Sequence, residues 1–485
     1  MKHLNKIKFE TVGSTPSNSL IKGMRSATAM GTTENGAPTF TRSGSALLDF
    51  YAQAGAMRKN PEKALELFQK AFSEDRQSAI RILFYLRDVR GGQGERDLFR
   101  TCLEWLGTDY PEIFENIIGF VAEYGRWDDL FFDNDVVFRT LNLQLANDTS
   151  AKSPSLLAKW MPTINASSAK TKAKAKFFAQ KLGLDPIRYR IMLRDIRRKI
   201  ATVEAKMSAN KWEDINYSGV PSQASRIYRN AFSKHDTERY GKFIEKAEKG
   251  EVKINAATLY PYQIYNNVRS DYSPTLEALW NQLPDYTQGK NGLVLADVSG
   301  SMEGDPMSVS VSLALYFAER NKGAFKDYFM TFSSDANLQK VQGKTLREKM
   351  RSIESDGWCG STNIQAAFDA ILGVAVNNNV PADEMPSTLY IISDMEFDNA
   401  THGHQTNFEV IKKKYAAAGY TMPSIVFWNV DARSGRNLPV ERDENGVAMV
   451  SGFSPVIFKM VTENKSPEQV MFDTINAERY AKIVV

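Results

Sequence analysis

The last two hundred residues alternate short apolar runs with segments of helical periodicity. The runs GLVLA (292–296), STLYIIS (387–393) and PSIVFWNV (423–430) each end at small polar residues. Such runs are typical of buried parallel strands, and the helical segments between them are typical of crossover connections. We therefore predict a doubly wound α/β domain over residues 286–485.

The preceding part of the chain has a different pattern. Between residues 46 and 285, apolar residues recur at helical spacing, as in ALLDFYAQAGAMR and PEKALELFQKAF. Pro61 and Pro111 stand where helices are expected to begin. The pattern predicts an all-α module, either a helical-repeat (HEAT-like) array or an ordinary globular helical domain. Residues 1–45 are rich in Gly, Ser and Thr, and we expect an irregular arm there. The chain is thus predicted to be multidomain.

Composition restricts the class of protein further. No stretch of about 18 apolar residues could cross a bilayer, and the opening MKHLNKIKFE has no apolar signal-peptide core. The two cysteines, Cys102 and Cys359, are too few for a disulfide framework. We expect a cytoplasmic protein with reduced thiols and no membrane partner.

Polar residues gather where the predicted strands end. Asp297, Ser299 and Ser301 follow the first strand, Asp394 follows STLYIIS, and Thr362 precedes a helix between them. Ligands of open parallel sheets bind at the carboxyl ends of the strands. Carboxylate and hydroxyl oxygens suit hard cations, so we predict a site for Mg²⁺, or for another divalent cation such as Mn²⁺ or Ca²⁺.

The motifs DVSGS, GSTN and ISDME resemble the metal-ion-dependent adhesion site (MIDAS) of von Willebrand factor A domains, in order and in strand context. The resemblance implies a Rossmann-type fold with one divalent ion. The alternative is a polar loop cluster without a metal, because Asp and Ser also populate turns and helix caps. Glu396 and Asp398 would add charge behind the ion or cap the next helix, and the second interpretation is favoured.

Catalysis has little support in the sequence. The chain has four histidines, and His402 and His404 form an HxH pair in NATHGHQTN, which is typical of a solvated loop. It has no Walker lysine loop, no GxSxG elbow and no Cys–His signature. We predict that the protein is not an enzyme. A metal-dependent hydrolase would need one of these histidines beside the ion.

Positive charge is concentrated between residues 151 and 200, which hold 13 basic and 2 acidic side chains. Clusters of this kind attract phosphates. The alternative is a solvated helix face. The candidate RNA-binding residues are Lys159, Lys170, Lys172, Lys174, Lys176, Arg188, Arg190, Arg194, Arg197, Arg198, Arg90 and Arg96.

Two other features have both a structural and a functional interpretation. The glycine-rich segment 90–96, RGGQGER, could approach a phosphate through its amides, or form a turn between helices. The turn is slightly favoured. Tyr189 and Trp160 could stack on bases or pack in the core, and packing is favoured for Trp160.

The segments LFYLRDVRGGQGERDLFR (83–100) and KWMPTINAS with YRIMLRDIRRKI (within 159–200), followed by the metal motifs, resemble the Ro ribonucleoprotein (TROVE-like) family. The resemblance implies a ring or horseshoe of helical repeats, bridged by the A-type domain, that holds structured or small non-coding RNA, or RNA ends. The leading hypothesis is therefore an RNA-binding scaffold. The alternative is a metal-dependent protein-interaction module, in which an acidic partner group completes the metal shell.

Overall fold

The computed structural model describes residues 30–485 except 290, 333–334, 355–357, 359, 361, 400–405, 433–436, 461 and 463. Its helical part precedes a mixed six-stranded sheet with helices, which confirms the predicted fold class. The helices of the first part are α1 Ala46–Gln53, α2 Pro61–Glu74, α3 Arg76–Arg87, α4 Asp97–Asp109, α5 Pro111–Ile117, α6 Val121–Tyr124, α7 Asp135–Ser150, α8 Leu157–Trp160, α9 Ala169–Lys181, α10 Pro186–Ile200, α11 Val203–Ser208, α12 Ser222–His235, α13 Thr237–Glu248, α14 Pro261–Ser270 and α15 Pro274–Asn281.

Local sequence explains where these helices begin. Pro61 and Pro111 occupy the first turns of α2 and α5, as predicted. The carboxylate of Asp185 accepts hydrogen bonds from the first amides of α10, at 2.9 Å from Ile187 and 3.0 Å from Arg188. These caps satisfy amides that have no partner inside the helix.

The second part is built around the six-stranded sheet. Its strands are β3 Gly292–Asp297, β4 Tyr328–Phe332, β5 Ala336–Lys340, β6 Thr388–Ser393, β7 Ser424–Asn429 and β8 Val447–Ser451. Their order across the sheet is β5-β4-β3-β6-β7-β8. Its helices are α16 Asp305–Arg320, α17 Leu346–Ile353, α18 Ile364–Asn377, α19 Asn407–Ala417, α20 Pro467–Ile475 and α21 Glu478–Ala481. From β3 the chain adds β4 and β5 toward one edge of the sheet. It then returns to the other side of β3, where β6, β7 and β8 extend the sheet to the opposite edge. The boundary between β3 and β6 is the topological switch point of the sheet.

The sequence pattern did not predict the edge strand of the sheet. The edge strand β5 pairs antiparallel with β4, whereas the other neighbouring strands are parallel. Its sequence, ANLQK, is mostly polar, and its side chains are exposed or half-buried. An edge strand lacks the continuous apolar run of a buried strand, so the pattern that reveals β3 and β6 is absent from it.

Part of the segment expected to be irregular is ordered. Within the predicted arm of residues 1–45, strands β1 (Met30–Thr32) and β2 (Pro38–Phe40) form an antiparallel hairpin, while residues 1–29 lie outside the described residues. Backbone bridges join Gly36 to Asp398 and Phe40 to Leu438. These partners are distant in sequence, so the hairpin leaves no strong local signal.

The two parts pack closely against each other. Helix α1 lies against β8, and the C-terminal helices α20 and α21 pack on α1 and α3. The guanidinium of Arg479 pairs with Asp88, whose carboxylate also accepts the Tyr480 hydroxyl at 3.0 Å. The buried apolar residues consequently form one cluster that extends through both parts.

Gly55 marks a close approach between the parts. A Cβ at this position would lie 2.7 Å from the carbonyl oxygen of Ser451. We expect Gly55→Ala to lower the free energy of unfolding by about 1–3 kcal/mol, as overpacking does in cores. Gly119→Ala is the matched control, because a Cβ there meets nothing within 4 Å. Urea unfolding of both variants measures the difference, and equal effects would contradict the tight contact.

Two expectations from composition concern the membrane and the thiols. No helix in the described part of the chain is long and apolar enough to span a bilayer. Cys102 is buried and free of a disulfide, and burial raises the pKa of its thiol well above the usual value. Cys359 lies outside the described residues.

Candidate metal centre and basic surface

The candidate metal ligands lie at the switch point of the sheet. Asp297 is the last residue of β3, and Asp394 directly follows β6. The two strands are parallel neighbours, with Ala296 paired to Ile392. The sheet therefore brings both carboxylates to the same edge.

The loop after β3 turns back on itself. The Asp297 carboxylate accepts a hydrogen bond from the Ser299 amide at 2.9 Å. The hydroxyls of Ser299 and Ser301 are 3.1 Å apart, so they point to a common space. The amide of Gly300 donates to the carbonyl of Gly360 at 3.2 Å and joins this loop to the one that carries Thr362.

The third loop closes the group. Thr362 is buried, and its carbonyl accepts from the Asp398 amide at 2.8 Å. Ser361, the residue before it, lies outside the described residues. Three loops with the five candidate ligands are thus linked by backbone hydrogen bonds.

The site holds two buried carboxylates close together. Asp297 is 0% exposed and Asp394 is 2% exposed. Burial, and secondly the negative charge of Asp394, raise the pKa of Asp297 well above its usual value. The hydroxyl of Ser393 donates to Asp297 at 2.6 Å and offsets part of this cost. Burying two like charges is unfavourable unless a cation or a proton compensates them.

The donor set consists of oxygens alone. Within the described chain, no group of three or more His, Cys, Asp or Glu side chains is placed to hold a metal. The constellation depends instead on two carboxylates and three hydroxyls, which is the chemistry that Mg²⁺ accepts. The residues present therefore fit a hard divalent cation, whereas soft metals would need thiolate or imidazole ligands.

Glu396 has a role that the sequence did not reveal. Helix capping does not describe it, because its buried carboxylate accepts from the Glu34 amide at 2.7 Å and from Asn437 at 2.6 Å. Helix α19 is instead capped by Thr406. Thr33 also donates to the carbonyl of Phe397 at 2.7 Å. The β1–β2 hairpin is therefore fastened to the loop that follows Asp394.

The candidate basic residues divide into two groups. On α9 the lysine positions alternate, and residues two apart on a helix differ by about 200° in direction. Lys170 and Lys174 therefore point to one side, and Lys172 and Lys176 to the other. Five candidates on α9 and α10 are exposed and form no ion pair within the described part of the chain: Lys170, Lys172, Lys174, Lys176 and Arg190.

The other candidates of this region have partners within the protein. The guanidinium of Arg197 donates to the carbonyls of Ala158 and Met161, both at 2.7 Å. Lys159 pairs with Glu204 at 3.3 Å. Three exposed ion pairs complete the group. Arg188 pairs with Asp185 at 3.3 Å, Arg194 with Asp195 at 2.9 Å, and Arg198 with Asp195 at 3.8 Å.

The two aromatic candidates differ in environment. Tyr189 is buried, and its hydroxyl donates to the carbonyl of Pro162 at 2.8 Å, so it packs in the core. Trp160 is half-buried, and the guanidinium of Arg126 lies 4.2 Å from the centre of its ring. A face or edge of this indole remains partly accessible.

The glycine-rich segment 90–96 contacts other parts of the protein. A Cβ at Gly92 would lie 1.8 Å from the carbonyl oxygen of Tyr85. The carbonyl of Gln93 accepts from Tyr260 at 2.8 Å, and its side chain accepts from the Ser454 amide at 3.3 Å. The close backbone approach at Gly92 is therefore part of a junction at which Gln93 joins the helical part to the α/β part. Arg90 and Arg96 are both exposed, and Arg90 donates to the carbonyl of Glu123 at 3.0 Å.

The architecture is thus a helical part with a basic surface, joined to an α/β part with an oxygen-lined group at its switch point. A family model described as "Domain of unknown function (DUF7788)" matches residues 291–482. A second, "Domain of unknown function (DUF2828)", matches residues 33–131 and 185–293. The stretch between these two matched segments contains the lysine run of α9.

A viral protein is similar over most of the chain. The "Uncharacterized protein L728" of Acanthamoeba polyphaga mimivirus is 29% identical over 480 residues, which cover 88% of this chain and 84% of the relative. Among solved structures, the Ro (RSR) protein of Deinococcus radiodurans aligns with 88% of this chain and 93% of its own. That alignment has 13% identity and a TM-score of 0.36.

Proposed function

We propose that this protein is a non-catalytic RNA-binding scaffold that contacts RNA phosphates through the basic surface of α9 and α10. The observation that carries the proposal is the set of exposed cations on these helices that have no carboxylate partner in the described chain. RNA phosphates hold condensed counterions in solution, and such protein cations release those counterions when they neutralise the phosphates. The RNA class is structured or small non-coding RNA.

We further propose that the switch-point group holds one divalent cation, most simply Mg²⁺. The buried carboxylates of Asp297 and Asp394 and the hydroxyls of Ser299, Ser301 and Thr362 support this proposal. The cation would neutralise the two carboxylates and offer an open position to an acidic group of a partner.

Copurification tests the RNA proposal. The protein purified at low salt is expected to carry nucleic acid, seen in the ratio of absorbance at 260 and 280 nm, that ribonuclease or high salt removes. Protein that is free of RNA, and that also fails to bind added structured RNA, would contradict the proposal. It would favour a metal-dependent interaction with an acidic protein instead.

A triple variant tests which surface binds. Replacing Lys170, Lys172 and Lys176 by Gln is expected to weaken binding to unrelated RNA sequences alike. The slope of log affinity against log salt should become less steep by about 2, at about 0.7 for each phosphate contact with a single strand. The control replaces three exposed lysines elsewhere in the chain by Gln: Lys246, Lys249 and Lys253. If both triple variants bind and respond to salt like the natural protein, the α9 surface is not the binding site.

A further inference from the structure

A second basic group lies next to the α9 surface, where several helices meet. It surrounds the turn Trp127–Leu130, which carries two acidic residues. The carboxylate of Asp129 is buried and accepts from Arg87 at 2.8 Å and from Arg100 at 2.9 Å. The carboxylate of Asp128 accepts from Arg100 at 2.8 Å and from Arg126 at 2.9 Å. Three arginines thus share two carboxylates.

Two more cations join this group without a partner of their own. Within the described part of the chain, neither Arg96 nor Lys174 forms an ion pair or a side-chain hydrogen bond, and both are exposed in part. The Lys174 ammonium lies 5.6 Å from the ring centre of Phe131 and 5.8 Å from that of Phe178. The Lys174 ammonium is therefore held beside the turn Trp127–Leu130 by the fold.

The positive charges of this group repel one another. Partial burial, and secondly the charges of Arg126 and Arg100, lower the pKa of Arg96. Burial and then the charge of Arg100 lower the pKa of Lys174. The carboxylates of Asp128 and of exposed Glu104 act on the pKa of Lys174 in the opposite direction. These five cations outnumber the carboxylates of Asp128, Asp129 and Glu104. Glu95 also acts on Arg87, but it is paired with Arg58. An anion would therefore relieve the excess positive charge.

The group is fixed in position before any ligand arrives. The amide of Arg126 donates to Asp129 at 2.9 Å, and its guanidinium lies over the ring of Trp160. Planar guanidinium groups held in this way suit bidentate recognition of phosphate oxygens. The half-buried indole beneath offers a surface on which a terminal base could stack.

We propose that Arg96, Arg126 and Lys174 bind a phosphate group at the end of an RNA strand. A terminal phosphomonoester carries a charge of about −1.5 to −2, which matches the excess of this group better than the single charge of an internal phosphodiester. Lys170 acts electrostatically on Lys174, so the group is continuous with the α9 surface that would hold the rest of the strand. This inference rests on the proposed RNA binding.

The test compares one short RNA with a 5′-phosphate, with a 3′-phosphate, and with hydroxyls at both ends. The natural protein is expected to bind one phosphorylated form about tenfold more tightly than the hydroxyl form, a difference that corresponds to about 1.4 kcal/mol. The preferred form identifies which end is bound. The variant Arg96→Gln/Lys174→Gln should lose this preference and bind all three RNAs with similar affinity. Lys246→Gln/Lys249→Gln is the control and should keep the preference.

Several results would overturn the inference. Equal affinity of the natural protein for all three RNAs would do so, as would a preference that persists in the double variant. If no RNA binds at all, the proposed function fails, and thermal unfolding in inorganic phosphate then tests the group alone. Stabilisation of the natural protein, but not of the double variant, would support a phosphate site. No stabilisation of either would contradict it. Equal melting temperatures without phosphate would show that the variant is folded.

Discussion

Asp129→Asn is expected to lower the apparent free energy of unfolding by about 3–5 kcal/mol, because it leaves a buried cation without its counterion. Arg87 is 1% exposed, and its guanidinium lies 2.7 Å from the Asp129 carboxylate. The same carboxylate accepts from Arg100 and from the Arg126 amide. An amide of similar size cannot accept all of these hydrogen bonds or balance the charge.

Urea unfolding followed by circular dichroism measures this loss. The matched control is Glu115→Gln, since Glu115 and Arg139 form an ion pair at 3.0 Å in which both side chains are more than 60% exposed. Exposed pairs contribute less than about 1 kcal/mol, so the control should unfold nearly like the natural protein. Similar urea midpoints for the two variants would show that the buried pair is not essential to stability.

Asp297→Asn is expected to abolish stabilisation by Mg²⁺. A ligand at one hundred times its dissociation constant stabilises a protein by about 2.7 kcal/mol, and the variant should lose this effect. Without metal, the variant should be at least as stable as the natural chain, because the repulsion between Asp297 and Asp394 is removed. Thermal unfolding with Mg²⁺ and with a chelator distinguishes the two states.

The control for this substitution is Asp383→Asn, at an exposed position away from the switch point. It should retain the full response to Mg²⁺.

The pH dependence of stability has a definite sign. In the metal-free protein, the raised pKa of Asp297 contributes stability below its unfolded value, and this contribution is lost as pH rises through the folded pKa. Because the cation competes with that proton, stabilisation by Mg²⁺ should grow over the same rise. An unchanged Mg²⁺ response in Asp297→Asn would contradict the metal site.

Much of the α/β part was predictable because its pattern is local. Strands β3, β6 and β7 coincide with continuous apolar runs, and α18 and α19 coincide with helical periodicity. The residues that end the runs then identify the candidate ligands, since parallel strands present their carboxyl ends at one edge. The edge strand β5 was not predicted because its sequence is mostly polar and its side chains are exposed or half-buried.

The basic surface was predictable only as a concentration of charge. The sequence places thirteen cations between residues 151 and 200, but it does not indicate which of them have partners. The guanidinium of Arg197 donates to carbonyls of residues 39 and 36 positions earlier in the chain. The group around Asp128 and Asp129 joins five basic residues from positions 87 to 174, and no local motif connects them.

The sequence by itself determined the order of the two parts, most of the strands, and the oxygen ligands of the candidate metal site. These features depend on periodicity and on residues adjacent in the chain, which act at short range. Only the tertiary structure decided how the β1–β2 hairpin reaches Glu396, how the C-terminal helices pack on α1 and α3, and which cations remain unpaired. Those contacts join residues up to about 400 positions apart, and their energies depend on burial and distance, which a linear pattern does not encode.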